Sequence, residues 1–282
     1  MSFSYSTNAF KRYSLIESFE MIKDIGFTGV EIMCDRPHLY PPDFSDNKIK
    51  SLKEELEKLR LVVTNLNCFT LFAVGDTYLP SWIEPEASRR QIRIDHTIQC
   101  LKIADTLGCK NISVPPGGPV MDNDTKSSLD LFRKGLERVI PTAEKLGVLL
   151  LIEPEPELLI ENTQQITSFV KEIASPVVGV NFDVGHFYCV GEKPDQALET
   201  LFEYIGHIHI EDIAITRKHD HLIPGMGAID FDLFFKRLSR LEYQKDICLE
   251  LYPYIEMPKE SGMKSFEFLA PIMRKYGFLT DK

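Results

Sequence analysis

The stretch LLLIEP (149–154) contains four aliphatic residues that lead directly into Glu153. Three later stretches share this layout, in which a strand-like run ends on or beside an acid or an imidazole: VGVNFD (178–183), HIH (207–209) and ICLE (247–250). The polar residues Glu153, Asp183, His209 and Glu250 are 30, 26 and 41 residues apart, which is too far for one helix or hairpin. They meet only if parallel strands deliver them to a common rim, as strands do at their C-terminal ends in a (β/α) barrel.

Three carboxylates and one imidazole at one rim form a hard donor set that suits a divalent cation such as Mn²⁺, Mg²⁺ or Co²⁺. The alternative is that these residues are unrelated acids near strand ends, which any α/β protein contains. Each residue alone fits that alternative. Four in succession, each after a strand that reads as buried, favour a single metal site.

Strand and helix patterns alternate along the whole chain, and eight strands are predicted. They are SFSYS (2–6), GVEIMC (29–34), VVTNLNC (62–68), NISVP (111–115), VLLLIE (148–153), VGVNFD (178–183), HIHIE (207–211) and DICLEL (246–251). Amphipathic helices lie between them, the first with a capping box at Ser14 and Glu17. Four glycines are each predicted to end a helix before the next strand: Gly26, Gly108, Gly147 and Gly206. Eight such units predict a single α/β domain over residues 1–282, a (β/α)8 TIM barrel.

Composition and charge exclude several classes of protein. The chain has 282 residues, 44% of them hydrophobic, and a net charge of −10, which argues against a nucleic-acid-binding surface. No apolar run approaches the length of a membrane span. The start of the chain lacks the layout of a signal peptide, so a cytoplasmic protein is predicted.

The six cysteines include no C-x-x-C pair, and most lie in apolar strand or helix contexts. We therefore predict reduced, packed thiols and no zinc–thiolate site. His96 shares a helix face with Cys100 and is predicted to be structural.

The chain resembles the xylose isomerase-like TIM-barrel superfamily along nearly its whole length. The resemblance rests on GVEI around Glu31, IEPEP at Glu153, NFDVGH ending on His186, HIHIED at His209, HLIPGMGAIDF starting at His221, and the last strand with Glu250. This superfamily contains ketose 3-epimerases, hydroxypyruvate isomerases, inosose and dehydroshikimate dehydratases, and abasic-site endonucleases. The resemblance implies that one shared metal ion is bound by Glu153, Asp183, His209 and Glu250.

The resemblance also implies that His186 contacts substrate or a further metal. His219 and His221 stand where relatives with a second metal carry an acid-x-acid or acid-x-His pair. The three imidazoles are therefore a candidate second site, for which Zn²⁺ and Co²⁺ suit better than Mg²⁺. In the alternative, one of His219 and His221 hydrogen-bonds substrate and the other faces solvent. A further zinc of the endonucleases is expected to be absent, because this chain has Asn67 and Pro115 near the positions of its histidines.

The local sequence context predicts a role or an orientation for four further side chains. Trp82 lies in an aromatic loop and is expected to close over the substrate, or to pack the barrel rim or a subunit contact. Arg217 is expected either to bind an oxygen-rich group of the substrate or to be a solvated surface side chain. Glu155 is interpreted as a solvated acid. His207 is predicted to point away from His209, towards the helices.

Together these features favour a metal-dependent isomerase or epimerase that acts on a small sugar or sugar derivative through an enediolate. Glu153 and Glu250 are expected to transfer the proton of a C–H bond next to a carbonyl. A dehydratase of a keto-polyol shares metal, base and intermediate and stays an alternative. A phosphodiesterase on abasic DNA is disfavoured by the net charge, and a non-catalytic sugar-binding barrel does not explain the full ligand set. The expected partner is a small sugar or polyol, with no nucleic acid and no membrane, and a homo-oligomer is left open.

Overall fold

Eight parallel strands close into one barrel in the computed structural model, which describes residues 1–120 and 124–280. Each strand is hydrogen-bonded to the next along the chain, and the last pairs with the first. The strands are β1 (Phe3–Ser6), β2 (Gly29–Met33), β3 (Val62–Asn67), β4 (Asn111–Val114), β5 (Leu149–Ile152), β6 (Val178–Asp183), β7 (Ile205–Ile210) and β8 (Ile247–Leu249). The predicted (β/α)8 barrel is confirmed.

Nine α-helices surround this barrel within the described ranges. They are α1 (Leu15–Ile25), α2 (Asp46–Leu59), α3 (Ala87–Leu107), α4 (Thr125–Leu146), α5 (Thr163–Ile173), α6 (Val184–Cys189), α7 (Pro194–Leu201), α8 (Phe231–Arg240) and α9 (Pro258–Lys275). None of them combines the length and the apolarity that crossing a lipid bilayer requires. The short helix α6 was not predicted. Its N-cap is Asp183, whose Oδ1 accepts a hydrogen bond from the backbone N–H of His186 at 2.8 Å.

The predicted helix ends are confirmed with one exception. Gly26, Gly108 and Gly147 follow α1, α3 and α4 with φ of 115°, 77° and 64°, in the left-handed region that favours glycine. Gly206 instead lies inside β7, where a Cβ atom would come within 2.4 Å of Leu151 Cδ2. The prediction was wrong there, because this glycine permits close packing across the barrel and does not end a helix.

The interior of the barrel is polar, while the alternate strand residues that face the helices are mostly apolar and buried. Asn65 Nδ2 lies 2.8 Å from Glu31 Oε2 and 2.9 Å from Ser113 Oγ, and Asn111 Nδ2 donates to Asn65 Oδ1 at 2.8 Å. Buried polar groups need such partners, since an unsatisfied one costs about 1–3 kcal/mol. A hydrogen-bonded network therefore occupies the barrel and reaches the side chains at its rim.

His207 belongs to this interior, contrary to the prediction. Its Nε2 lies 3.5 Å from Glu31 Oε2, and its side chain is fully buried. Residues two apart on a strand project to the same face, so His207 and His209 both point inward. The prediction was wrong in its assignment of faces, and Ile208 is the residue that packs in the hydrophobic core.

Candidate active site

The four predicted metal ligands meet at the C-terminal rim of the barrel. Glu153 and Glu250 directly follow β5 and β8, Asp183 ends β6, and His209 lies in β7. One ligand atom of each lies within 4.8 Å of the others. His209 Nδ1 is the central atom, at 3.0 Å from Glu153 Oε1, 3.6 Å from Glu250 Oε2 and 3.8 Å from Asp183 Oδ2. Asp183 and His209 are partner residues on the adjacent strands β6 and β7, which places their side chains next to each other at the rim.

The burial and charge of this quartet fit a bound divalent cation. All four residues are at most 6% exposed, and three of them are acids. Crowded buried carboxylates repel one another unless they are protonated or share a cation. Glu153 Oε2 and Asp183 Oδ2 are buried and lack a hydrogen-bond partner, so lone pairs are available for a metal ion.

His209 is held from its other side by Glu31. The Nε2 atom lies 2.6 Å from Oε2 of Glu31, which is fully buried. An ionised carboxylate only accepts, so Nε2 carries a proton and Nδ1 is the nitrogen that faces the three acids of the quartet. Burial opposes both charges, yet His209 holds the pKa of Glu31 well below its ordinary value. Against the same burial, Glu31, Glu153 and Glu250 raise the pKa of His209 well above its ordinary value.

Glu31→Gln is expected to weaken divalent-metal binding about 10- to 100-fold, because the neutral amide orients the ring of His209 less firmly. Calorimetric titration with Mn²⁺ measures the change. Glu20→Gln, on the exposed surface of α1, is the matched control and should leave the affinity unchanged. Equal affinities in the two variants would show that Glu31 does not orient the ligand.

Two amides position Glu250. Asn8 Nδ2 donates to Glu250 Oε1 at 2.8 Å and Asn67 Nδ2 at 3.1 Å, which leaves Oε2 on the side of His209. Burial, and then the nearby acids Glu153 and Glu31, raise the pKa of Glu250 well above its ordinary value. Asn67 thus helps to position Glu250.

The three other candidate imidazoles form a second group beside the quartet. His219 Nε2 lies 3.2 Å from His221 Nε2, and one nitrogen each of His186, His219 and His221 lie within 4.8 Å of one another. The Nδ1 atoms of His186 and His221 approach the backbone oxygens of Pro154 at 2.9 Å and Glu250 at 3.1 Å. Carbonyls only accept, so these nitrogens carry the protons, and Nε2 of His221 accepts the hydrogen bond from Nε2 of His219. Burial lowers the pKa of His186 and His221 to about 3, so both rings are neutral.

Asp212 organises the loop that carries His219 and His221. Its backbone forms an isolated bridge with Leu222. Its carboxylate accepts four backbone hydrogen bonds, at 2.8 to 3.1 Å, from the N–H groups of Ile213, Gly225, Gly227 and Ile229. One buried carboxylate therefore fixes both ends of the turn that follows the two histidines.

A cavity of about 290 Å³ opens at this rim, a size that suits a small molecule. Glu153 and Glu250 line it together with the three imidazoles, whereas Asp183 and His209 are not among its lining residues. The remaining wall combines aromatic and polar side chains, which include Lys11, Phe69, Phe72, Tyr78, Glu155 and Tyr252. The cavity thus exposes two of the four proposed ligands and keeps the other two out of reach.

Glu155 is part of this wall and is not a solvated acid as interpreted from the sequence. It is only 5% exposed, and its Oε1 accepts a hydrogen bond from Tyr78 Oη at 2.8 Å. Burial raises the pKa of Glu155 to about 8. Its backbone N–H donates to the oxygen of Ile160 at 3.1 Å, a contact within the folded loop that the polar composition of the segment did not indicate.

Trp82 and Arg217 lie away from the cavity, so the geometry does not support the substrate contacts expected for them. Trp82 is fully buried and packs against Phe132, with ring centroids 5.6 Å apart, which matches the packing alternative. Arg217 is exposed, donates to the backbone oxygen of Tyr188 at 2.6 Å and stacks over that ring, which matches the surface alternative.

Comparison with known proteins agrees with this arrangement. The family model of the xylose isomerase-like TIM barrel matches residues 19–272. The chain belongs to this family. The 3-dehydro-D-guloside 4-epimerase of Escherichia coli K12 is 25% identical over 288 residues, which cover 95% of this chain and 99% of that enzyme. An inosose dehydratase of Clostridium botulinum (strain Alaska E43) is 24% identical over 265 residues, which cover 86% and 85%.

Among solved structures, the IOLI protein with a zinc atom superposes on this family member with a TM-score of 0.81. It is 18% identical, and the superposition covers 99% of this chain and 100% of that one. This likeness shows the shared fold.

Proposed function

We propose that this xylose isomerase-like barrel is a divalent-metal-dependent isomerase or epimerase of a small sugar or sugar derivative. The observation that carries the proposal is the division of the quartet, in which Glu153 and Glu250 line the cavity and Asp183 and His209 do not. Two carboxylates can therefore meet a substrate. The 4-epimerase and the dehydratase named above support a sugar or polyol substrate.

Glu153, Asp183, His209 and Glu250 would hold the metal ion, and the zinc atom of the IOLI protein supports a metal in this fold. Carboxylate and imidazole donors accept Mn²⁺, Mg²⁺, Co²⁺ or Zn²⁺. When bound, such a cation supplies Lewis acidity that makes the C–H bond beside a carbonyl easier to ionise.

The two carboxylates that line the cavity transfer the proton. Glu153 and Glu250 follow β5 and β8, which are three strands apart in the ring of eight, so they approach a substrate from different directions. One removes the proton from the carbon beside the carbonyl, and the other returns a proton, which inverts the centre when it arrives on the far face.

The neutral imidazoles have a separate role towards substrate. Because their Nδ1 protons point at backbone carbonyls, His186 and His221 present only Nε2 lone pairs to the cavity. Nε2 of His186 accepts a hydrogen bond from a substrate hydroxyl, and the hydrogen-bonded pair of His219 and His221 extends this polar wall, which fits a polyhydroxylated ligand.

The position of Glu155 in the cavity supports a second candidate function, that of a dehydratase. Loss of a hydroxyl group needs an acid that protonates the departing oxygen, in addition to the base. Glu155 lines the same cavity as Glu153 and is bonded to Tyr78 at its wall. Both reactions begin with removal of the same kind of proton, so one experiment addresses them together.

The test is turnover in heavy water of a panel of ketoses, ketose phosphates and keto-inositols, followed by NMR. We expect deuterium at the carbon beside the carbonyl of the true substrate. Epimerisation retains every oxygen, whereas dehydration gives a conjugated product that absorbs in the ultraviolet. Glu153→Gln should reduce the exchange about 10²- to 10⁴-fold even at saturating metal, because an amide is not a base.

Glu157→Gln is the control for that experiment, since Glu157 is exposed in the same loop. It should exchange at the wild-type rate. Unchanged exchange in Glu153→Gln would contradict the two-carboxylate mechanism. Cleavage of abasic DNA without exchange on any sugar would overturn the proposal in favour of a phosphodiesterase.

A further inference from the structure

Three thiols meet in a buried cluster outside the barrel, on the side covered by α3. Cys34 directly follows β2, Cys68 directly follows β3, and Cys100 lies in α3. All three are fully buried, and their sulfur atoms lie within 4.8 Å of one another. They do not line the active-site cavity.

An imidazole stands next to this thiol cluster. His96 is one helical turn before Cys100 in α3, and its Nε2 lies 3.5 Å from Cys100 Sγ. Zn–S bonds of about 2.3 Å and Zn–N bonds of about 2.0–2.1 Å place tetrahedral ligands about 3.8 Å (S to S) and about 3.6 Å (N to S) apart. The His96–Cys100 separation already has this value, and the sulfur atoms need to close by at most about 1 Å. His96 lies outside the group of atoms within 4.8 Å of one another, so its ring must also move towards Cys34 and Cys68 when the ion binds.

A buried cation beside the cluster has no carboxylate as a direct hydrogen-bond partner among the described residues. Arg93 is fully buried, and Asp35 and Asp76 attract it without contacting it. Its Nη2 has no hydrogen-bond partner, and its other nitrogens donate only to neutral backbone oxygens, those of Pro80, Cys68 and Phe69. Burial lowers the pKa of Arg93 to about 10, a fall that Cys68, Asp35 and Cys100 oppose.

An uncompensated buried charge is costly, because the energy of its hydration is lost. Three thiolates, one neutral imidazole and one Zn²⁺ ion carry a net charge of −1. That charge would balance the guanidinium of Arg93. With neutral thiols Arg93 would keep only the attraction of Asp35 and Asp76 and no charged group in contact, so Arg93 is an observation independent of the thiol geometry that points to the same ligand.

We propose that Cys34, Cys68, Cys100 and His96 form a closed structural zinc site, separate from the active-site metal. Three cysteines and one histidine are a set that zinc occupies in structural sites. As zinc binds, each thiol gives up its proton to solvent, and the ion exchanges its water ligands for three Zn–S bonds and one Zn–N bond. The two sites also differ in the metal that they prefer, because soft thiolates favour zinc whereas the carboxylate-rich quartet suits harder ions.

The lack of a C-x-x-C pair led to the prediction that the chain has no zinc–thiolate site. That argument considers only cysteines close in sequence, so it does not cover this cluster. Its members come from three separate elements and are joined only by the fold. Because the ligands are buried, zinc must enter while the chain folds.

The test uses full-length protein produced with zinc in the medium and purified under reducing conditions without chelator. X-ray absorption at the zinc edge should show sulfur neighbours at about 2.3 Å. Glu250→Gln, which weakens only the active-site metal, should retain the zinc with sulfur neighbours. Cys100→Ser should lose it, whereas Cys109→Ser, a buried cysteine outside the cluster, should keep it.

Protein produced with Co²⁺ gives a second readout, because thiolate ligands add a charge-transfer absorption in the near ultraviolet that carboxylates do not. The band should be present in wild type and Cys109→Ser and absent in Cys100→Ser. Where Cys100→Ser does not fold, the wild-type spectra decide. Zinc with only nitrogen and oxygen neighbours, or zinc-free protein with a full count of free thiols, would overturn the proposal without affecting the proposed isomerase activity.

Discussion

Glu250→Gln is expected to remove most of the bound active-site metal and to lower turnover about 10³-fold. The variant loses one of three anionic ligands and one of the two carboxylates that line the cavity. The fold should persist, because the amide oxygen can still accept the hydrogen bonds of Asn8 and Asn67. Elemental analysis, turnover of the substrate found by isotope exchange, and thermal unfolding measure the three effects.

Glu256→Gln provides the matched control for this variant. Its carboxylate is exposed and pairs with Arg12 at the surface, so metal content and turnover should equal those of wild type. In metal-free protein, Glu250→Gln should be no less stable than wild type, since burial and the neighbouring acids disfavour the ionised form of Glu250 and the amide avoids that cost. Full metal content in Glu250→Gln would remove this residue from the ligand set.

Asp212→Ala is expected to lower the free energy of unfolding by about 3 kcal/mol or more. The reason is the loss of four hydrogen bonds to one charged group, each worth about 1.5–3 kcal/mol, offset where water reaches the freed N–H groups. The loop with His219 and His221 should loosen as well, so affinity for substrate should fall. Urea unfolding and substrate titration measure these changes.

Asp212→Asn refines the same experiment. The amide keeps one accepting oxygen but turns N–H donors towards two other N–H donors, so we expect an intermediate loss of stability. Asp220→Ala, which removes an exposed acid of the same loop, should change the free energy of unfolding by less than about 0.5 kcal/mol. If Asp212→Ala unfolds like Asp220→Ala, the carboxylate does not hold the loop.

The quartet could be predicted from the sequence because strand ends carry two kinds of information at once. A run such as LLLIE identifies a buried strand, and the residue that ends it must project at the rim of a parallel barrel. Glu153, Asp183, His209 and Glu250 all satisfy this rule. The barrel followed from the same alternation of strands and helices.

The residues that support the quartet carry no such local signal. Asn8 lies in a turn and Glu31 in the middle of a strand, and their roles depend on neighbours more than 170 residues away. The burial of Glu155 arises from how its loop folds inward. The error at His207 had a different origin, since the two-residue period of a strand places it on the same face as His209.

The attachment of His209 to Glu31 has a consequence for how such a barrel can diverge. The imidazole is fixed through the polar interior, by contacts that involve no residue of the loops above the rim. Loop changes can therefore replace the cavity wall and alter which sugar is accepted, while the ion-holding group stays in place. Substitutions within the interior network would disturb the position of His209. We therefore expect descendants of this chain to change their substrate long before they change the type of reaction.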